Sequence, residues 1–193
     1  LGRYGGHPQG KLFYTGSHSG RFVNSISELS ENSGLGASSS APIITGSVFR
    51  DNGLHGLRGE GNPTPDLHGN VFDDNGSYGA YFGALRLASY SGNVGAGNAV
   101  NGIGVRGTVI GSETWTMGSP TFPFVLGGDL LVDEGATLLL PASTVVKGTG
   151  SHRFQVEGTL TAAGDSASPV VITALTDDEH GGDTNGDGAA TQP

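Results

Sequence analysis

Three stretches, ITGSVFRDNGLHGLRGEG (residues 44–61), LHGNVFDDNGSYGAYFGA (67–84) and YSGNVGAGNAVNGIGVRG (90–107), stack on one another without a gap. Gly46, Gly69 and Gly92 recur every 23 residues, as do Val48, Val71 and Val94, then Asn52, Asn75 and Asn98, then Gly56, Gly79 and Gly102. So short a period leaves no room for a helical crossover. Each repeat reads as one coil of a solenoid: a short strand around Val48-Phe49 or Val71-Phe72, an Asn-Gly or Asp-Asn bend, and a second strand such as Gly79-Ala80-Tyr81-Phe82. Coils about 4.8 Å apart bond strand to equivalent strand and pile identical residues into ladders. The Asn column at 52, 75 and 98 is expected at a left-handed bend, each amide bonding the amides above and below. The Gly column at 56, 79 and 102 is expected to supply further positive φ angles.

The pattern extends both ways. Upstream, Phe22-Val23-Asn24-Ser25-Ile26 followed by Glu31-Asn32-Ser33-Gly34 reads as a degenerate coil. Downstream, LLVDEGATLLLPASTVVKG (130–148) and FQVEGTLTAAGDSASPVVIT (154–173) share the order Val-acid-Gly-Thr/Ala-Leu, a small-residue and Pro bend, then Val-Val. Val132 and Val156 are 24 residues apart, so the circumference persists. Composition agrees: 36 Gly and 9 Pro among 193 residues exclude a helical bundle. The expected fold is all-β, a single-stranded right-handed parallel β-helix of about eight coils of roughly 23 residues, a rod on the order of 40 Å long. The expected divisions are an N-terminal cap or interface over 1–21, coils with Asn and Gly ladders over 22–110, coils of a second type over 111–176 and an acidic tail over 177–193. Between the two coil types, TWTMGSPTFPFV (114–125) reads as a bulge or corner over the column. A sharper alternative makes Trp115, Phe122 and Phe124 a platform for a sugar ring.

Lys and Arg number 9 against 18 Asp and Glu, a formal charge of −9, which argues against nucleic acid as a partner. No apolar stretch approaches the roughly 18 residues of a transmembrane helix, so no membrane insertion is expected. With no Cys, neither a disulfide scaffold nor a thiolate metal site is available. The opening LGRYGGHPQG lacks Met and an apolar leader and reads as a processed or excised start. Charge is uneven along the chain: Arg3, Lys11 and Arg21 stand in residues 1–27 without an acid, whereas Glu157, Asp165, Asp177, Asp178, Glu179, Asp183 and Asp187 follow Arg153 without a base. In a solenoid this becomes an axial dipole, and open strand edges at both ends favour head-to-tail contacts.

The N-terminal coils resemble the right-handed parallel β-helix proteins of the pectate-lyase-like superfamily, whose repeat N-x-F-x-x-N-x-x-x-G-I stands here as Ser47-Val48-Phe49-Arg50-Asp51-Asn52 to Gly56-Leu57 and as Asn70-Val71-Phe72-Asp73-Asp74-Asn75 to Gly79-Ala80. The second half is similar to segments of large bacterial surface proteins with the pattern V-x-x-G-x-L-x-x-x-P-G-x-V-x-K. It stands here as Val132 to Lys147, with Ala142 in place of the second Gly. The resemblance covers roughly residues 22–193. It implies an extracellular or cell-surface location and is weak for activity, since this solenoid carries lyases, hydrolases, adhesins and passive stalks.

For chemistry, Asp183-Thr184-Asn185-Gly186-Asp187-Gly188 reproduces the first six positions of a calcium loop, D-x-N-x-D-G, with Asp177, Asp178 and Glu179 able to complete the shell. A structural Ca²⁺ is therefore expected at Asp183, Asn185, Asp187, Asp177 and Asp178. Asp51 and Asp74 share a column and Arg50 sits in register with Asp73; turn residues and a surface ion pair account for them. The enzymatic alternative, a polysaccharide lyase or glycoside hydrolase, would use Asp51, Asp73, Asp74 and Arg58. His68-Gly69 precedes the Asp pair and no Arg-x-Lys follows, so the hydrolase order resembled by that set fails. The six His residues share no spacing suited to zinc and read as solvated loop positions. A Ser-His-Asp triad could be assembled from so many Ser residues, but no G-x-S-x-G elbow appears. The leading expectation is a non-enzymatic structural or adhesive rod, joined end to end to copies of itself or to neighbouring domains, with a glycan as a further partner.

Overall fold

The computed structural model describes residues 12–16, 20–83, 86, 89–188, 190, 191 and 193. The first coil comprises β1 (Leu12–Thr15), β2 (Arg21–Val23) and β3 (Ile26–Glu28). The second has β4 (Leu35–Ser38), β5 (Ile43–Thr45) and β6 (Val48–Arg50), and the third has β7 (Leu57–Glu60), β8 (Asp66–His68) and β9 (Val71–Asp73). The fourth has β10 (Tyr78–Gly83), β11 (Ser89–Ser91) and β12 (Val94–Ala96). The pattern then changes to β13 (Val100–Val109), β14 (Ser112–Thr114), β15 (Phe124–Val132), β16 (Thr137–Pro141), β17 (Val145–Gly148), β18 (Phe154–Val156), β19 (Thr159–Ala163) and β20 (Val171–Ala174). One long sheet runs β1-β4-β7-β10-β13-β15-β17-β20, flanked by β11-β8-β5-β2, β12-β9-β6-β3 and β14-β16-β19.

This is an all-β parallel solenoid of about seven turns, one fewer than expected, with the expected circumference of about 23 residues. Seven turns separate Leu12 from Ile172, and the described residues after β20 fold back beside earlier coils, the Thr184 carbonyl accepting the Asn101 N–H, instead of adding a turn.

Inward positions stack through the whole molecule. The ladder pairs Leu12 with Leu35, then Leu57, Ala80, Ile103, Phe124, Val146 and Ile172. The six central members are at most 1% exposed, whereas Leu12 is 41% and Ile172 54% exposed. Alongside runs a ring stack, Phe22 to Phe49 (5.4 Å), Phe49 to Phe72 (5.1 Å) and Phe72 to Phe122 (5.7 Å). Gly95 stands where the next ring is due, and Phe122 fills the space from the loop before β15. Trp115, Phe122 and Phe124 are thus wholly enclosed, Trp115 stacked on Phe124 at 5.0 Å. The corner reading of 114–125 describes them; as a sugar platform they offer no open ring face.

The ladders hold, with two corrections. Asn52 Nδ2 donates to Asn75 Oδ1 (2.9 Å) and Asn75 Nδ2 to Asn98 Oδ1 (2.8 Å), while each amide also donates to a backbone carbonyl. The left-handed residue, however, is the one before each Asn: Asp51 (φ 54°), Asp74 (φ 53°) and Gly97 (φ 65°). Nor does the column of Gly56, Gly79 and Gly102 supply positive φ. A Cβ on Gly56 would lie 2.6 Å from the Gly79 carbonyl oxygen and 2.9 Å from the Phe49 Cβ, so close packing requires glycine there. A second ladder joins Asn70 Nδ2 to Asn93 Oδ1 (2.8 Å), with Asn70 Oδ1 accepting the Ser47 N–H above.

Candidate functional site

Four polar constellations stand out. The first is the acidic tail. Lys147, fully buried on β17, donates through Nζ to the carbonyls of Asp177 and Gly182, both at 2.6 Å. Burial lowers its pKa, and the carboxylates of Asp177, Asp178 and Asp183 oppose that shift. Thr184 is buried and its carbonyl accepts the Asn101 N–H at 2.8 Å, so the tail folds back along the flank of earlier coils. Its charge therefore lies beside the column, where the sequence placed it on the axial end. Carboxylate oxygens of Asp178, Asp183 and Asp187 lie within 4.8 Å of one another. Asp183 also accepts the N–H groups of Asp187 (3.1 Å) and Gly188 (2.9 Å). Among the described residues, Asp178 Oδ1 and Asn185 Oδ1 are enclosed without a hydrogen-bond partner. Asp177 stands apart from this group: Thr173 Oγ1 donates to it at 2.6 Å and His180 Nδ1 lies at 3.0 Å, which hold its carboxyl down at about 2.

The second is a trough of about 780 Å³ where the long sheet forks. β15 pairs with β17 through Phe124 and Val125, and with β18 through Leu130 to Val132. Between these halves Gly127, Gly128 and Asp129 bulge opposite Arg106, because Val105 faces Leu126 and Gly107 faces Leu130. Such bulges re-aim side chains and end pairing. Glu60, Arg106, Asp129 and His152 line the trough over a floor of glycines. Glu60 accepts from Arg58 (3.1 Å) and Arg106 (3.3 Å). Arg106 also lies 5.5 Å from the centroid of the Tyr81 ring, whose stacking partner is His55 at 4.8 Å. Burial, with Arg58 adding to it, pulls the His55 pKa down to about 4.

The third is the set expected for an enzyme. Asp51 and Asp74 are bend residues after β6 and β9, and Asp73 accepts the Ala96 N–H at 3.1 Å. Burial raises the Asp73 carboxyl, with Asp74 adding to the shift. Arg58 belongs to β7 in the long sheet and pairs with Glu60, so the structure does not gather these four residues around one point. Arg50 is in register with Asp73 as expected, but its ion pair goes to Glu28 at 2.7 Å.

The fourth went unseen in the sequence. On β8 and β11, Asp66 Oδ1 lies 2.6 Å from His68 Nε2, and His68 Nδ1 lies 2.7 Å from Ser91 Oγ. The signal was present: Asp66 and His68 alternate on one strand, and Ser91 follows His68 by one period of 23. His55 and His68 are thus not solvated loop positions.

Compared with known proteins, the chain matches no family model, no curated protein and no solved structure.

Proposed function

We propose that this chain is a segment of an extracellular structural or adhesive rod, of the pectate-lyase-like superfamily that its repeat resembles and of bacterial surface origin. The observation that carries this is the column from Leu12 to Ile172, a core closed along its length whose two described ends, Leu12 and Ile172, are exposed. Val156, 42% exposed, likewise sits directly over the fully buried Val132. Unstacked core positions of this kind are where further coils seat, from a second copy in a head-to-tail filament or from a neighbouring domain.

The acidic tail is read as a structural Ca²⁺ loop. Its donors are hard oxygens, and the two enclosed oxygens without partners, on Asp178 and Asn185, fit a cation. Asp183 and Asp187 supply the rest of the shell, while Asp177 is committed to Thr173 and His180. The ion would neutralise carboxylates that otherwise repel and fix the tail to the flank.

A second reading, a carbohydrate-active β-helix, is favoured by the trough at the fork, which offers Glu60 and Asp129 with Arg106 in place of Asp51, Asp73 and Asp74. Negative-stain electron microscopy with calcium and with a chelator tests the first reading. Filaments or end-joined rods support it; dispersed short rods in both conditions, with sugar release from a polysaccharide panel lost in Glu60→Gln, would replace it by the second.

A further inference from the structure

Ser91, His68 and Asp66 form a line in which, with the imidazole neutral, each polar atom has one role left to it. An ionised Asp66 can only accept, so Nε2 carries the proton and donates it to Oδ1. The lone pair of Nδ1 then faces Ser91 Oγ at 2.7 Å, the position of a general base on a hydroxyl. The ring nitrogens are exchanged relative to the usual serine-hydrolase arrangement, but the proton path is the same. Two further features belong to the same spot. β11 is the last strand of its sheet among the described residues, and Ser91 on it is exposed. In the bend column, the Gly46 N–H donates to the His68 carbonyl and the Gly69 N–H to the Ser91 carbonyl. The next N–H, that of Gly92, has no acceptor among the described residues, but Gly118 packs over it: a Cβ on Gly118 would lie 3.2 Å from the Gly92 nitrogen and 2.6 Å from the Asn93 nitrogen.

We propose that Ser91 is an activated nucleophile and that this edge of the solenoid hydrolyses small, accessible carboxylic esters. Ser91 Oγ adds to the carbonyl carbon while its proton passes to His68 Nδ1, and the carbonyl oxygen takes the electron pair. Collapse breaks the bond to the alkoxide, which leaves with the proton from Nδ1 and gives acyl-Ser91. Water then adds as Nδ1 takes its proton, and collapse returns that proton to Ser91 Oγ, releasing the acid. Asp66 stays ionised and acts as a positioning residue. The inference is independent of the rod reading.

The test uses the 193-residue chain with p-nitrophenyl acetate for turnover and a fluorophosphonate probe located by mass spectrometry. The expected results are a label on Ser91, loss of label and turnover in Ser91→Ala, and turnover lowered about 10²-fold in His68→Gln. Asp66→Asn should lower kcat with KM unchanged, and Asp66→Glu should recover part of it. Because these side chains are exposed or half-buried, circular dichroism and melting of the variants should match the parent. A label elsewhere, no label, or equal turnover in Ser91→Ala overturns the proposal.

Discussion

At the scale of single residues, stability rests on buried amides that have no substitute. Asn75 Oδ1 accepts from the Asn52 side chain, and its Nδ2 donates to both Asn98 and the Phe49 carbonyl. Asn75→Ala leaves several enclosed polar groups unpaired, each worth about 1–3 kcal/mol. The expected loss is about 3 kcal/mol, a drop in Tm of roughly 6–12 °C by thermal denaturation. His55 gives a pH signature. Its folded pKa of about 4 lies below the 6.5 of a free imidazole, so the unfolded chain binds the extra proton first. Its contribution is complete above pH 6.5 and is lost as pH falls toward 4, with an upper bound of about 3 kcal/mol. The charge that opposes protonation is Arg58; the Tyr78 and Tyr81 rings enclose the imidazole. Melting curves of His55→Phe should be flatter across that interval than those of the parent. The Asn column was legible because identity recurs at a fixed period. Which residue takes the left-handed angle was not, since Asp, Asn and Gly all tolerate it and only the stacking geometry chooses.

At the scale of elements, the change of sequence pattern after residue 110 was legible, but its structural meaning was not. Composition cannot tell that β13 and β15 each run through what were two strands, or that three residues bulge opposite Arg106. The trough at the fork and the line on β8 and β11 depend on neighbours brought together by stacking, so residue spacing alone selected Asp51, Asp73, Asp74 and Arg58 instead. The acidic tail shows the converse. Its D-x-N-x-D-G signature is local and was read directly, while the buried Lys147 that fastens it is 30 residues before Asp177. Calcium at about 100 times its Kd should stabilise the chain by about 2.7 kcal/mol, roughly 5–11 °C in Tm. Asp183→Asn combined with Asp187→Asn should remove that calcium-dependent gain. Lys147→Met should weaken calcium binding measured by calorimetry, because the tail loses both anchoring hydrogen bonds while its carboxylates remain.

For the whole molecule, each coil is buried by its neighbours, so one substitution costs according to its place along the axis. The Leu12 to Ile172 column allows this to be tested within one chemical environment. Phe124→Ala in its middle should cost about 3–5 kcal/mol, since both stacking partners are enclosed. Ile172→Lys should alter stability by no more than about 0.5 kcal/mol, because it is 54% exposed and no strand among the described residues stacks beyond it. The end it belongs to is a step: β20 rests on β17, while β18 and β19 carry no further strand among the described residues. A further coil, if the proposed end-to-end joint forms here, would have to pair with β18 and β19 first and then pass over β20, bringing apolar residues onto Val156, Leu160 and Ile172. A lysine at 172 places a charge within that contact without disturbing the isolated fold. In sedimentation velocity over a range of concentrations, the parent chain should therefore associate and Ile172→Lys should sediment as a monomer with unchanged melting. Equal association of both proteins would place the junction elsewhere, and an unassociated parent would mean that the open end receives coils other than its own.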